Sequence, residues 1–116
     1  VNAPIVHIEF AGKDGHALEA FYRELFGWDS RRETPGGHDY GRFTPAGGSA
    51  VTGGIRHEPE GPAETVVYVR VADVARSAER AQELGGRVRL GPMTHDERTF
   101  AIVEDPAGNP VGLLDR

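Results

Sequence analysis

Residues 6–28 read VHIEFAGKDGHALEAFYRELFGW, and the fold follows from how this stretch is parsed. Its first part alternates. Val6, Ile8 and Phe10 fall on one side of an extended chain and His7, Glu9 and Ala11 on the other, which is the period of a β-strand over residues 5–11. Asp14 then stands where a helix cap is expected, and Leu18, Phe21, Tyr22 and Leu25 recur at helical spacing up to Phe26. Gly27 stops the helix. Glycine-punctuated strands are expected after it, near residues 28–33, 38–44 and 49–55.

The same parse recurs fifty-nine residues on. Residues 65–71 read as a strand, Asp73 caps a helix to Leu84, Gly85 and Gly86 end it, and strands follow near 87–90, 97–104 and 110–115. At this one shift Asp14 meets Asp73, Glu24 and Leu25 meet Glu83 and Leu84, Gly27 meets Gly86, and Gly53 meets Gly112. Two helix caps, two helix stops and two strand glycines brought together without a gap argue for a duplicated β-α-β-β-β unit. One domain over residues 1–116 is expected, with a first module at about 4–57, a Pro- and Glu-rich linker at 58–63 and a second module at about 64–116.

Composition narrows the function. A net charge of −5 with no Lys/Arg-rich run argues against nucleic acid or an anionic membrane as partner. There are no cysteines, so disulfides, thiolate metal sites and cysteine nucleophiles are all absent. Nothing in the sequence reads as a signal peptide or a membrane span, and the cytoplasm is the expected location.

The doubled module, with VHIEF, FYRELFGW, GGI, AQELGG and DPAGNPVGL in that order, resembles the vicinal oxygen chelate superfamily. That group includes glyoxalase I, bleomycin-resistance proteins and extradiol dioxygenases; the chain looks most like its small glyoxalase-like proteins related to lactoylglutathione lyase. The resemblance implies an α+β fold of two tandem βαβββ modules, whose mixed sheet curls around a cleft. Metalloenzymes of the group hold a divalent ion with four side chains, one from the first and one from the last strand of each module. Carried over by position, His7 keeps a ligand site, its mate is Val66, and the last-strand sites fall at Gly53 and Gly112. A single imidazole does not hold a divalent ion against water, so neither metal nor cofactor is expected. The two glycines are expected to widen the cleft for an organic guest.

The remaining candidates follow from strand parity. Glu9 shares the face of His7, its repeat mate is Tyr68, and Arg70 lies two residues further along. His7, Glu9, Tyr68 and Arg70 form a polar set suited to an acidic or phenolic ligand, with His7 and Glu9 the candidates for acid–base work. The alternatives are a His7 that merely satisfies a buried neighbour and a Glu9–Arg70 ion pair that only neutralises two charges. Trp28 and Phe43 are candidate aromatic walls for a ligand, or else core packing. His16, His38, His57 and His95 share no ligand spacing, and THDE at 94–97 reads as a solvated turn.

Two functions stay open. One is a metal-independent small-molecule-binding protein of the glyoxalase/bleomycin-resistance type, with its ligand in the cleft between the modules. The other is a lyase- or isomerase-like enzyme using His7 and Glu9 as acid and base, with or without a divalent metal. The sequence does not decide whether the protein is catalytic. A homodimer is expected, since short curled sheets leave strand edges that a small domain does not cover alone.

Overall fold

The computed structural model describes residues 2–33, 40–43 and 50–116. Its elements are β1 (Ile5–Gly12), α1 (Gly15–Phe26), β2 (Ser30–Glu33), β3 (Tyr40–Phe43), β4 (Thr52–His57), β5 (Glu64–Arg70), α2 (Val74–Glu83), β6 (Arg87–His95), β7 (Arg98–Glu104) and β8 (Pro110–Leu114). This is an α+β chain in which β-α-β-β-β occurs twice, as the repeat predicts. Among the described residues no helix is long and apolar enough to cross a membrane.

The chain divides into two compact units, His7–Thr65 and Val66–Arg116, the latter taking in the N-terminal residues up to Val6. In the first unit β2, β3 and β4 form an antiparallel meander, and β1 lies parallel to β4 with His7 opposite Thr52 and Phe10 opposite Ile55. In the second unit β6, β7 and β8 are the meander, and β5 lies parallel to β8 with Tyr68 opposite Gly112.

Both helices start as the sequence dictates. Asp14 accepts the N–H of Ala17 and Asp73 that of Arg76, each at 3.0 Å, which satisfies amides that have no partner inside the helix. Gly27 ends α1 in the left-handed conformation (φ 73°), its N–H on the Arg23 carbonyl at 2.8 Å. The meander of the second unit closes on two tight turns. Asp96 and Glu97 both have positive φ between β6 and β7, so the THDE stretch is an exposed hairpin turn. Between β7 and β8, Asp105 accepts hydrogen bonds from the backbone of Ala107 and Asn109 and from the Asn109 amide.

The second unit packs Val74 and Ala78 of α2 onto Ala101, Val103 and Leu113. The outer side of α2 carries Arg76, Glu79, Arg80 and Glu83 in short ion pairs. In the first unit, rings run from Phe10 through Tyr22 and Trp28 to Phe43, with centroids 4.6, 5.8 and 4.7 Å apart in turn.

One packing expectation fails. Phe21 and Leu25 of α1, whose helical spacing with Leu18 and Tyr22 implies one buried stripe, are 57% and 58% exposed. The reason is helical phase. α1 buries Gly15 and Glu19, and Tyr22 continues that line onto Phe10. Phe21 points about 120° away from Gly15 at 100° per residue. Glu19 occupies an inward position because Arg32 pairs with its carboxylate.

Candidate functional site

Strand pleating sorts the first unit into two faces. One packs on α1. Ile55 and Phe43 are buried there, and a β-carbon built on Gly41 would meet the Glu19 carboxylate. The other face carries His7 and Glu9 from β1, Tyr40 and Arg42 from β3, Thr52 and Arg56 from β4, and Glu33 and Arg31 from β2.

These side chains are joined. The Nδ1 of His7 is 2.6 Å from the Thr52 hydroxyl and its Nε2 is 2.8 Å from the Tyr40 hydroxyl. Tyr40 donates to Glu9 Oε2 at 2.9 Å, and Arg56 Nε donates to Glu9 Oε1, also at 2.9 Å. The other two nitrogens of Arg56 reach Glu58 and Glu64. At the far end Glu33 accepts from both Arg31 and Arg42, and the Arg42 guanidinium lies 5.9 Å from the centre of the Tyr40 ring. His7 and Glu9 are buried, at 8% and 5% exposure, yet among the described residues no buried side-chain nitrogen or oxygen lacks a partner.

The direction at Tyr40 sets one proton of His7. Tyr40 has one proton and gives it to Glu9, so its oxygen receives the Nε2–H of His7. When the ring is neutral in that tautomer, Nδ1 accepts the hydroxyl proton of Thr52. Burial works to lower the pKa of Arg56, but the attraction of Glu9, its hydrogen bonds to Glu9 and Glu64, and the nearby Glu58 outweigh it and raise the pKa. The Arg42 and Arg31 hydrogen bonds hold Glu33 below the ordinary carboxylate range.

The structure connects His7 and Glu9 as the sequence reading grouped them, but through Tyr40, which that reading did not single out. It also passed over Thr52 and Arg56. Parity along YGRF and TGGIR was the available signal, since alternate residues of each strand share the His7 face. The carboxylate of Glu9 has Arg56 as its guanidinium partner. Arg70 is exposed, its N–H bound to the Pro4 carbonyl at 3.0 Å. Tyr68 is buried, with its ring lying over Gly112. Trp28 and Phe43 stack on each other at an interplanar angle of 14°, within the ring run of the α1 face and not on the face of His7.

Two points of the glycine reading change. A side chain at Gly53 would project into the Phe43 ring, on the α1 face; the residue that shares the side of His7 is Gly54, beneath Tyr40. The shift of fifty-nine holds for the first strands but slips by one on the last. His7 sits opposite Thr52, whereas Val67, one past the mate of His7, sits opposite Val111. Nor do the glycines open space, because the Tyr40 ring fills the volume over Gly54 and the Tyr68 ring that over Gly112.

The chemistry of the donors does not fit a divalent ion. Each nitrogen of His7 and each oxygen of Glu9 already has a protein partner, and Val66 and Gly112 offer no donor side chain. Among the described residues no cluster of three or more His, Cys, Asp or Glu is placed to hold one. The other histidines lie apart: His57 Nδ1 accepts the Gly15 N–H at 3.0 Å, His16 contacts Arg32, and His95 is beside Asp96. His38 lies outside the described residues.

Comparison with known proteins gives a consistent fold. The family model described as Glyoxalase/Bleomycin resistance protein/Dioxygenase superfamily matches residues 4–113. No curated protein matches by sequence. Methylmalonyl-CoA epimerase from Mycobacterium tuberculosis is 16% identical with a TM-score of 0.65, over 96% of this chain and 86% of that one. A single-residue variant of the Streptomyces coelicolor methylmalonyl-CoA epimerase, in complex with 2-nitronate-propionyl-CoA, is 20% identical with a TM-score of 0.66, over 96% and 95%. A hypothetical protein from Bacillus halodurans C-125 is 11% identical with a TM-score of 0.72, over 100% and 96%.

Proposed function

The chain belongs to the glyoxalase/bleomycin resistance protein/dioxygenase superfamily, and we propose that within it the protein is a metal-independent binder of a small organic molecule. The ligand lies on the His7 face of the first unit. The observation that carries this reading is the state of His7. Its two nitrogens are engaged by Thr52 and Tyr40, so the residue that relatives with a metal would use as a ligand is instead part of an internal hydrogen-bond network.

That face favours a guest with an apolar body and one polar or anionic group. Arg42 and Arg31 share the carboxylate of Glu33, so among the described residues that end of the face has one cation more than anions. Thr52 and Tyr40 are half-buried and supply hydroxyls. A homodimer belongs to the same proposal, since Phe21, Leu25 and Phe26 leave apolar surface on α1 that a partner would cover.

Metal analysis of the purified protein and a thermal-shift screen of small organic acids and phenols test the reading together. The expected result is no stoichiometric metal and at least one stabilising acid whose affinity falls about tenfold in His7→Ala, the scale of one lost hydrogen bond to a charged group. Stoichiometric zinc, nickel, iron or manganese overturns it. An enzymatic role has one specific support, the Tyr40 link between His7 and Glu9, and would show as a loss of roughly a hundredfold or more in turnover in His7→Ala.

A further inference from the structure

We propose that Thr52, His7, Tyr40 and Glu9 work as a single proton-transfer chain in which Tyr40 is the positioning residue, and that the ligand is an acid which hands its proton to this chain on binding. The proposal rests on the reading of this face as the ligand site and adds the ligand's chemical class and the event at the site.

Three links of 2.6, 2.8 and 2.9 Å connect the four side chains in line. With His7 neutral in the Nε2–H tautomer, every proton points the same way: from Thr52 oxygen to His7 Nδ1, from Nε2 to the Tyr40 oxygen, and from Tyr40 to Glu9. Such a chain moves a net proton by a concerted shift, each group giving up one proton and gaining another. A ligand O–H placed against Thr52 passes its proton to Thr52 oxygen as the hydroxyl proton moves to Nδ1. The Nε2 proton moves to Tyr40, and the Tyr40 proton moves to Glu9. The products are a ligand anion, a neutral His7 of the opposite tautomer, a neutral Tyr40 and a protonated Glu9. Charge balances, because the negative charge leaves Glu9 and appears on the ligand.

A carboxylic acid arrives already ionised at neutral pH, so the ligand class is a weaker organic acid that still holds its proton: an activated phenol or an enol. Arg56 remains beside Glu9, and the proton returns along the same chain when the ligand leaves. The new ligand anion has the Arg42–Arg31 end of the same face as its electrostatic complement.

The chain is tested without any ligand, by the nitrogen-15 NMR signals of His7. In the unaltered protein at neutral pH these are expected to report the Nε2–H tautomer; a predominant Nδ1–H tautomer overturns the proposal. Glu9→Gln is then compared in two backgrounds, with Tyr40 intact and with Tyr40→Phe. With Tyr40 intact the substitution is expected to change the His7 tautomer ratio about tenfold, the equivalent of one charge-assisted hydrogen bond, and with Tyr40→Phe to leave it nearly unmoved. An equal change in both backgrounds, or none in either, overturns the coupling. No ligand enters this measurement, so its failure is distinct from an unsuccessful ligand screen. The tautomer in the unaltered protein stands as a test even if a variant does not fold.

Discussion

The hydroxyl of Tyr40 occupies the space into which a side chain at residue 54 would grow; a β-carbon built on Gly54 falls inside the phenol. Glycine at 54 is therefore a condition for the contact between Tyr40 and His7. Gly54→Ala is expected to destabilise the fold by about 1–3 kcal/mol through overpacking and to uncouple Tyr40 from His7. In a Tyr40→Ala background the same change should cost much less. Urea midpoints of the four proteins in this cycle measure the difference, and equal costs in both backgrounds would refute the relationship.

The second unit makes the same arrangement with Tyr68 over Gly112. Gly112→Ala should likewise cost about 1–3 kcal/mol, relieved by Tyr68→Ala. A cost that persists undiminished without the Tyr68 ring would mean that this glycine serves the backbone and not the ring.

Much of this was legible in the sequence because it depends on local rules. Asp14 and Asp73 cap helices, Gly27 stops one, and alternation from Ile5 to Ala11 names the two faces of β1 without any tertiary information. Four features were hidden. The one-residue slip on the last strands depends on strand pairing, so a gap-free shift chose Gly53 where the fold uses Gly54. The phase of α1 depends on Arg32 meeting Glu19, which turns a charged residue inward and leaves Phe21 outside. Tyr40 lies 33 residues from His7, and only the packing of β3 beside β4 brings them together. The glycine positions were visible, but the rings that fill the space over them were not.

Arg56 is the centre of charge on the His7 face, holding Glu9, Glu58 and Glu64 at once. Arg56→Met would leave the buried Glu9 carboxylate without its cation, at a cost of about 3 kcal/mol. Arg56→Lys should cost less in charge but still lose the three-way geometry, because one ammonium cannot reproduce the guanidinium fork. Chemical denaturation ranks the variants, and the expected order is wild type, then lysine, then methionine. A methionine variant as stable as wild type would show that Glu9 is held by other means.

Removal of metal gives a sharp test of the proposed binding mode. If an ion were resident and contributed even 1 kcal/mol, stripping it from a domain of this size would lower Tm by about 4 °C. Incubation with a strong chelator followed by desalting is expected to shift Tm by less than about 1 °C, and subsequent zinc or manganese to restore nothing. A drop of several degrees reversed by one metal would contradict the donor chemistry around His7.

Acid should unfold the protein in a way that traces to three carboxylates. The Asp105 pKa is lowered by the Asn109 side chain first, then by backbone N–H groups of Asn109, Ala107 and Gly108. Glu104 is lowered by Arg87 and Arg89, and Glu33 by Arg42 and Arg31. A group whose folded pKa lies below its unfolded value binds its proton more weakly when folded. Its contribution is complete above the unfolded pKa and is lost as pH falls through the folded one. The reference values are 3.8 for Asp105 and 4.5 for the two glutamates, so stability from these groups should be flat above about pH 5.5 and decline below about pH 4.5. Asp105→Asn isolates one of them. It keeps an acceptor oxygen for the turn but carries no charge, so it should be somewhat less stable than wild type at pH 7 and approach it as pH falls toward 3. Urea midpoints at pH 7, 5, 4 and 3 follow the gap between the two proteins. A gap that stays constant through the acid range would show that the turn does not depend on the ionised carboxylate.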